Sequence, residues 1–225
     1  MCIRDRLIVD NLLNKETTSL KVCGVTLPED VEQLIDLGVH ALGVNFWGKS
    51  KRFISPDAAT PFLTQAAGKI ARVAVFVNAP ADLPRRLLKE GLIDLAQFHG
   101  DESVDYCQSF AAEKLPFIKA IGVKNASSLS HIHDYGATAL LLDTPAPGVY
   151  GGTGEKFDWT HAASFMQENP ATPVLLAGGI TPENAIEAIG QVRPAALDVA
   201  SGSERAPGIK DVNKVKLLML ATQSL

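Results

Sequence analysis

From Leu20 onward, short apolar runs rich in branched residues alternate with amphipathic segments, in units of roughly two dozen residues. The runs Leu20–Val25, Ala41–Trp47, Ile70–Val77, Leu92–Phe98, Leu115–Ile121, Ala139–Asp143, Pro173–Ala177 and Ala195–Val199 read as strands. Between them lie helix signals. Leu27-Pro28-Glu29-Asp30 opens a helix with Val31, Leu34 and Ile35 on one side, and Ser55-Pro56-Asp57 places an N-cap before a first-turn proline. Further helices are expected after Ala79-Pro80-Ala81-Asp82, from Asp101-Glu102, around the Ser-rich Asn125–His133, near Asp158, from Thr181-Pro182-Glu183-Asn184, and over Gly208–Leu220. Strand followed by helix, repeated across 20–225, predicts a single-domain (β/α)8 TIM barrel. A doubly wound open sheet is the alternative. It fits less well, because no Gly-x-Gly-x-x-Gly turn follows the first strand.

Composition narrows the function more than the fold. The 225 residues are 46% hydrophobic and 20% charged, ordinary for a globular chain. A net charge of −4 leaves no basic surplus for nucleic acid or an anionic membrane. Cys2, Cys23 and Cys107 are too scattered for a disulfide framework or a zinc knuckle, which fits a reducing cytoplasm. Residues 1–19 contain an apolar stretch broken by Asp10 and Asn11, neither a secretory signal nor a membrane span. They are expected to form an extension outside the fold.

In a barrel of this kind the strand C-terminal ends and the loops behind them form the active face. The linear list then becomes a ring of Cys23, Asn45, Asn78, Gln97, His99, Lys119, Asp143, Gly178, Gly179 and Asp198 to Gly202. Cys23 and Asp143 stand out in chemical type. On far sides of the ring they suit a base and an acid facing each other across a small substrate. Gly178, Gly179, Ser201 and Gly202, after the seventh and eighth strands, are the expected phosphate site, since glycine loops let backbone N–H groups approach an anion. In the run Lys49-Ser50-Lys51-Arg52, Arg52 is favoured as a carboxylate clamp because its fork matches two oxygens. His99 is a candidate donor lining the site. No His/Asp/Glu cluster has metal spacing, and Gly151-Gly152-Thr153-Gly154 fits no nucleotide motif. Gly148–Lys156 is instead expected to be a mobile cover over the site.

Several ordered motifs together resemble the phosphoribosylanthranilate isomerases of tryptophan biosynthesis. They are Lys21-Val22-Cys23-Gly24-Val25-Thr26, Lys49 to Pro56, Val75-Phe76-Val77-Asn78, Gln97 to Glu102, Leu141-Leu142-Asp143, Tyr150 to Gly154 with Phe157-Asp158-Trp159, and Ala177-Gly178-Gly179 with Pro182-Glu183-Asn184. The likeness covers about residues 20–220. It implies an Amadori rearrangement of N-(5-phosphoribosyl)anthranilate to 1-(2-carboxyphenylamino)-1-deoxyribulose 5-phosphate. On this resemblance Asp143 is the general acid, Cys23 the general base, Arg52 the holder of the anthranilate carboxylate, and Asp198 a ligand for a ribose hydroxyl. A base role for Cys23 calls for a lowered thiol pKa. No cofactor or metal is implied, because the reaction moves only protons. The partner expected is the small-molecule substrate, with the chain a monomer or weak homodimer. Asn45, Ala200 and Ser203 depart from the family's frequent residues, which are apolar, Ser and apolar respectively.

Competing readings are an indole-3-glycerol phosphate synthase, which would want a catalytic lysine such as Lys119, and a pentose phosphate epimerase, which would want a metal set. A catalytically silent barrel binding a phosphorylated ligand is the third.

Overall fold

The computed structural model describes residues 3–14, 16–145 and 157–224. Its centre is a closed barrel of parallel strands, β1 (Ser19–Cys23), β2 (Ala41–Asn45), β3 (Ala71–Phe76), β4 (Leu95–Phe98), β5 (Phe117–Gly122), β6 (Ala139–Asp143), β7 (Val174–Leu176) and β8 (Ala196–Val199), in sequence order. Closure comes from β1 pairing with both β2 and β8, with Lys21 level with Ala41 on one side and Asp198 on the other.

Strand alternation splits the apolar residues into two cores. Leu20, Val22, Leu42, Val44, Leu140 and Leu142 face outward into the layer covered by helices. Ala41, Ala71, Val73, Leu95, Ile118, Leu141 and Leu175 face inward and fill the barrel. Strands buried on both faces are continuous apolar runs, which is why the sequence marks them so plainly.

The helices are α1 (Ile3–Leu12), α2 (Pro28–Asp36), α3 (Pro56–Ala66), α4 (Asp82–Lys89), α5 (Val104–Ala112), α6 (Trp159–Glu168), α7 (Ala185–Val192) and α8 (Val212–Thr222). Ser55 caps α3 by accepting from the Ala58 N–H, with Pro56 in the first turn as predicted. Asp158 caps α6 through the Thr160 N–H.

Four expectations change. The first residues do not stand clear of the fold: Val9 and Leu12 of α1 are buried with Ala41 and Ala71 at the strand starts, and the Ser19 hydroxyl donates to the Asn11 carbonyl. Burial of two apolar side chains at the open base of the barrel is the physical reason. The helix expected over Asn125–His133 is two 3-10 turns, Ala126–Leu129 and Ile132–Tyr135. The Ser127 and Ser128 hydroxyls engage Asn125 there, and His131 adopts a left-handed φ of 60°, so local side-chain bonds compete with helical ones. The helix expected from Asp101-Glu102 begins at Val104 with Ser103 as its cap, because the Glu102 carboxylate accepts from the Asn78 and Gly100 N–H groups. The last helix starts at Val212, capped by Asp211, after a short hairpin of β9 (Glu204–Ala206) and β10 (Ile209–Lys210). Among the described residues, no helix is long and apolar enough to cross a membrane.

Candidate active site

The C-terminal strand ends enclose one pocket that gathers Cys23, Arg52, His99, Asp143, Gly178, Gly179, Asp198 and Ser201. Cys23 ends β1 and Asp143 ends β6, with β7 and β8 between them on one side of the ring. The two glycine-containing loops therefore rise between the thiol and the carboxyl. Gly202 does not line this pocket. A Cβ there would lie 2.0 Å from the Ile180 carbonyl oxygen, so its lack of a side chain lets the loop after β8 rest on the loop after β7. The proposed cover, Gly148–Lys156, lies outside the described residues.

Around Cys23 the sequence reading lacked the main partners. Lys21 shares the inward face of β1 with Cys23 and is fully buried. Its ammonium donates to Asp198 Oδ1 at 2.7 Å and to Gln97 Oε1 at 2.9 Å, and its charge acts on the neighbouring Cys23 thiol. Burial alone would lower the Lys21 pKa, but Asp198 and Cys23 outweigh it and the net direction is upward. Burial pushes the Cys23 thiol up, Lys21 and Lys210 pull it back, and the balance stays above the ordinary value. The lowered thiol expected from sequence is thus not found, because desolvation outweighs the two ammonium groups.

Asp143 is 7% exposed and both of its oxygens have polar neighbours. Oδ1 accepts from the Thr144 N–H at 2.7 Å, and Oδ2 lies 3.2 Å from His99 Nε2. The other His99 nitrogen, Nδ1, lies 2.8 Å from Gln97 Nε2. The predicted donor His99 is therefore in contact with the predicted acid.

Arg52 also reaches the pocket, but one edge of its fork is occupied. Nε and Nη2 each donate to Glu204 at 2.8 Å, which leaves the Nη1/Nη2 end for a ligand. Glu204 accepts in addition from Lys210 and from the Gly208 N–H, and Lys210 also donates to the Cys23 carbonyl. Burial would raise the Glu204 pKa, but Arg52 and Lys210 hold it below the usual carboxylate range. Lys49 and Lys51 are exposed.

Lys119 is not a pocket lysine. Its ammonium donates to the Phe98 and Gly100 carbonyls and to Glu102, clipping the loop after β4. Ser203, where an apolar residue is frequent, turns its hydroxyl onto the Ala200 carbonyl at 2.7 Å. The Asn45 side-chain oxygen Oδ1 accepts from the Trp47 N–H at the pocket wall. Among the described residues, no group of His, Cys, Asp or Glu could hold a metal.

Lys21, Glu204 and Lys210 were not singled out from sequence, and Gln97 only as one member of the ring. A usable signal existed for Lys21 and Gln97. Each stands two residues before a pocket residue, Cys23 or His99, so strand alternation turns both pairs to the same face.

Residues 20–221 match the family described as PRAI, N-(5'phosphoribosyl)anthranilate (PRA) isomerase. The N-(5'-phosphoribosyl)anthranilate isomerase of Citrifermentans bemidjiense is 38% identical over 208 residues, covering 92% of this chain and 98% of that protein. That of Herminiimonas arsenicoxydans is 39% identical, with 96% of each chain covered. The crystal structure of the Thermotoga maritima phosphoribosyl anthranilate isomerase superposes with a TM-score of 0.83 at 33% identity, covering 92% of this chain and all of that one. A phosphoribosyl anthranilate isomerase in complex with reduced 1-(o-carboxyphenylamino)-1-deoxyribulose 5-phosphate has a TM-score of 0.79 at 32% identity, with the same coverage. This chain belongs to the N-(5'-phosphoribosyl)anthranilate isomerase family, enzymes of tryptophan biosynthesis.

Proposed function

We propose that this isomerase converts N-(5-phosphoribosyl)anthranilate with Asp143 as general acid and Cys23 as general base. The observation that carries the reading is one carboxyl and one thiol at separate strand ends of a single pocket, with the glycine loops between them. Asp143 gives a proton to the furanose ring oxygen, the C1′–O bond breaks, and the nitrogen lone pair forms the Schiff base. The Cys23 thiolate removes the proton from C2′. Those electrons return to the nitrogen, and the resulting enolamine tautomerises to the ketone. No electron leaves the substrate, so acid and base suffice.

The surroundings suit these parts. The positive charge of Lys21 beside Cys23 favours the thiolate once it forms. The open end of the Arg52 fork matches the anthranilate carboxylate, and Gly178, Gly179 and Ser201 supply the phosphate cradle. Gly202 serves the cradle indirectly, by letting its two loops meet. Asp198, with one oxygen held by Lys21, keeps the other for a ribose hydroxyl.

Anthranilate fluorescence provides the test. Wild type should consume the substrate, while Cys23→Ala and Asp143→Asn should each lose at least about a hundredfold in kcat, the usual range for a general acid or base. Full turnover by either variant would remove the role assigned to that residue.

A further inference from the structure

A chain of side chains joins the two ends of the pocket, and its donors and acceptors admit one assignment. Lys21 Nζ carries only protons, so Asp198 and Gln97 must each present an acceptor to it. The Gln97 atom facing Lys21 is therefore the amide oxygen, at 2.9 Å. Its NH2 then faces His99 Nδ1 at 2.8 Å, so Nδ1 accepts and carries no proton. In the neutral ring the proton is left on Nε2, which faces Asp143 Oδ2 at 3.2 Å. Gln97 and Lys21 are both fully buried, so water cannot stand in for either contact.

We propose that Lys21 and Gln97 are positioning residues that hold His99 in its neutral Nε2–H tautomer, so that the proton of Asp143 is kept for the substrate. The inference rests on the acid role proposed for Asp143. In the other tautomer Nε2 would be a lone pair beside a carboxylic acid, and the acid would donate to the imidazole. With Nε2–H in place Oδ2 is an acceptor, and Oδ1 already accepts from Thr144. The proton of Asp143 is then left to a direction that neither partner occupies. One buried ammonium thus fixes hydrogen-bond polarity, through two side chains, at Asp143.

The test reads the tautomer directly. Two-bond proton–nitrogen NMR correlations of the whole protein, with His99→Asn to assign the signals, should show wild-type His99 protonated on Nε2 and bare on Nδ1. Gln97→Glu keeps the shape but offers Nδ1 a carboxylate, so the proton should move to Nδ1. Its kcat should fall at least about tenfold with KM little changed, as for a partly disabled general acid. A wild-type His99 protonated on Nδ1 overturns the inference and needs no variant to fold. So does a folded Gln97→Glu protein with the proton unmoved, or with the proton moved and kcat unchanged. A wild type that shows the Nε2–H tautomer but does not turn over phosphoribosylanthranilate would instead sink the acid role itself.

Discussion

Arg52 meets Glu204 edge to edge, with Nε and Nη2 each 2.8 Å from a carboxylate oxygen. Glu204 Oε1 also accepts from Lys210 and the Gly208 N–H, so both carboxylate oxygens are committed as acceptors. An amide at this position must turn N–H against N–H on one edge. Glu204→Gln should therefore free Arg52 to swing and raise KM at least about tenfold, the worth of one charge-assisted contact. It should also cost on the order of 3 kcal/mol in urea denaturation, because two cations lose their buried partner. An unchanged KM would show that Glu204 does not orient Arg52 for substrate.

Gly43, on β2 beside Cys23, should tolerate no side chain without moving the thiol. A Cβ there would stand 2.8 Å from Sγ and 3.1 Å from the Cys23 Cα. Gly43→Ala is expected to lose about 1–3 kcal/mol of stability from overpacking. It should also lower kcat by more than KM rises, since displacement touches the base and leaves the Arg52 clamp in place. Stopped-flow fluorescence with denaturant melts would separate the two effects.

The loop contact at Gly202 makes a different prediction. With a Cβ only 2.0 Å from the Ile180 oxygen, Gly202→Ala must push the loops after β7 and β8 apart. Inorganic phosphate should then bind at least about tenfold more weakly in calorimetry, through loss of one or more charge-assisted hydrogen bonds. Equal phosphate affinity in the variant and wild type would place the phosphate elsewhere.

Burial pushes the Cys23 thiol up, and the Cys107 thiol up to about 11. The folded protein therefore holds both thiol protons more tightly than the unfolded chain, whose thiols titrate near ~8.5. Their contribution to stability is complete below that value and is lost as pH rises through the folded values. Melting temperature should fall on the alkaline side, and the slope should be shallower in Cys107→Ala. For activity, the acid limb of the kcat/KM profile should inflect on the alkaline side of an ordinary thiol. An inflection well below it would show that the Lys21 and Lys210 ammonium groups outweigh burial at Cys23.

The barrel was legible because its strands are buried on both faces. Nearly continuous apolar runs such as Ala139–Leu142 and Val73–Val77 therefore stand out against the amphipathic helices between them. The helix over Asn125–His133 was misread for a reason visible only in the fold, since the Ser and Asn side chains bond each other in short turns. The site was legible to the extent that strand ends define it. Cys23, His99, Asp143, Gly178 and Ser201 all line one pocket.

By itself the sequence determined a ring of eight strands, the residues at its rim, and a family whose motifs fall on those residues. Periodicity and local motif are properties of neighbours along the chain, and they survive without coordinates. Only the tertiary structure decided which rim groups touch. Lys21 and Asp198 are 177 positions apart, and Arg52 and Glu204 are 152 apart, yet each pair is in hydrogen-bond contact. Closure of the barrel creates the first pair, by setting β1 beside β8, and the hairpin after β8 carries Glu204 back over the β2 loop to create the second. The same closure leaves Cys23 half-buried, so desolvation sets the direction of its pKa, and it lines up Lys21, Gln97, His99 and Asp143 into one chain of hydrogen bonds.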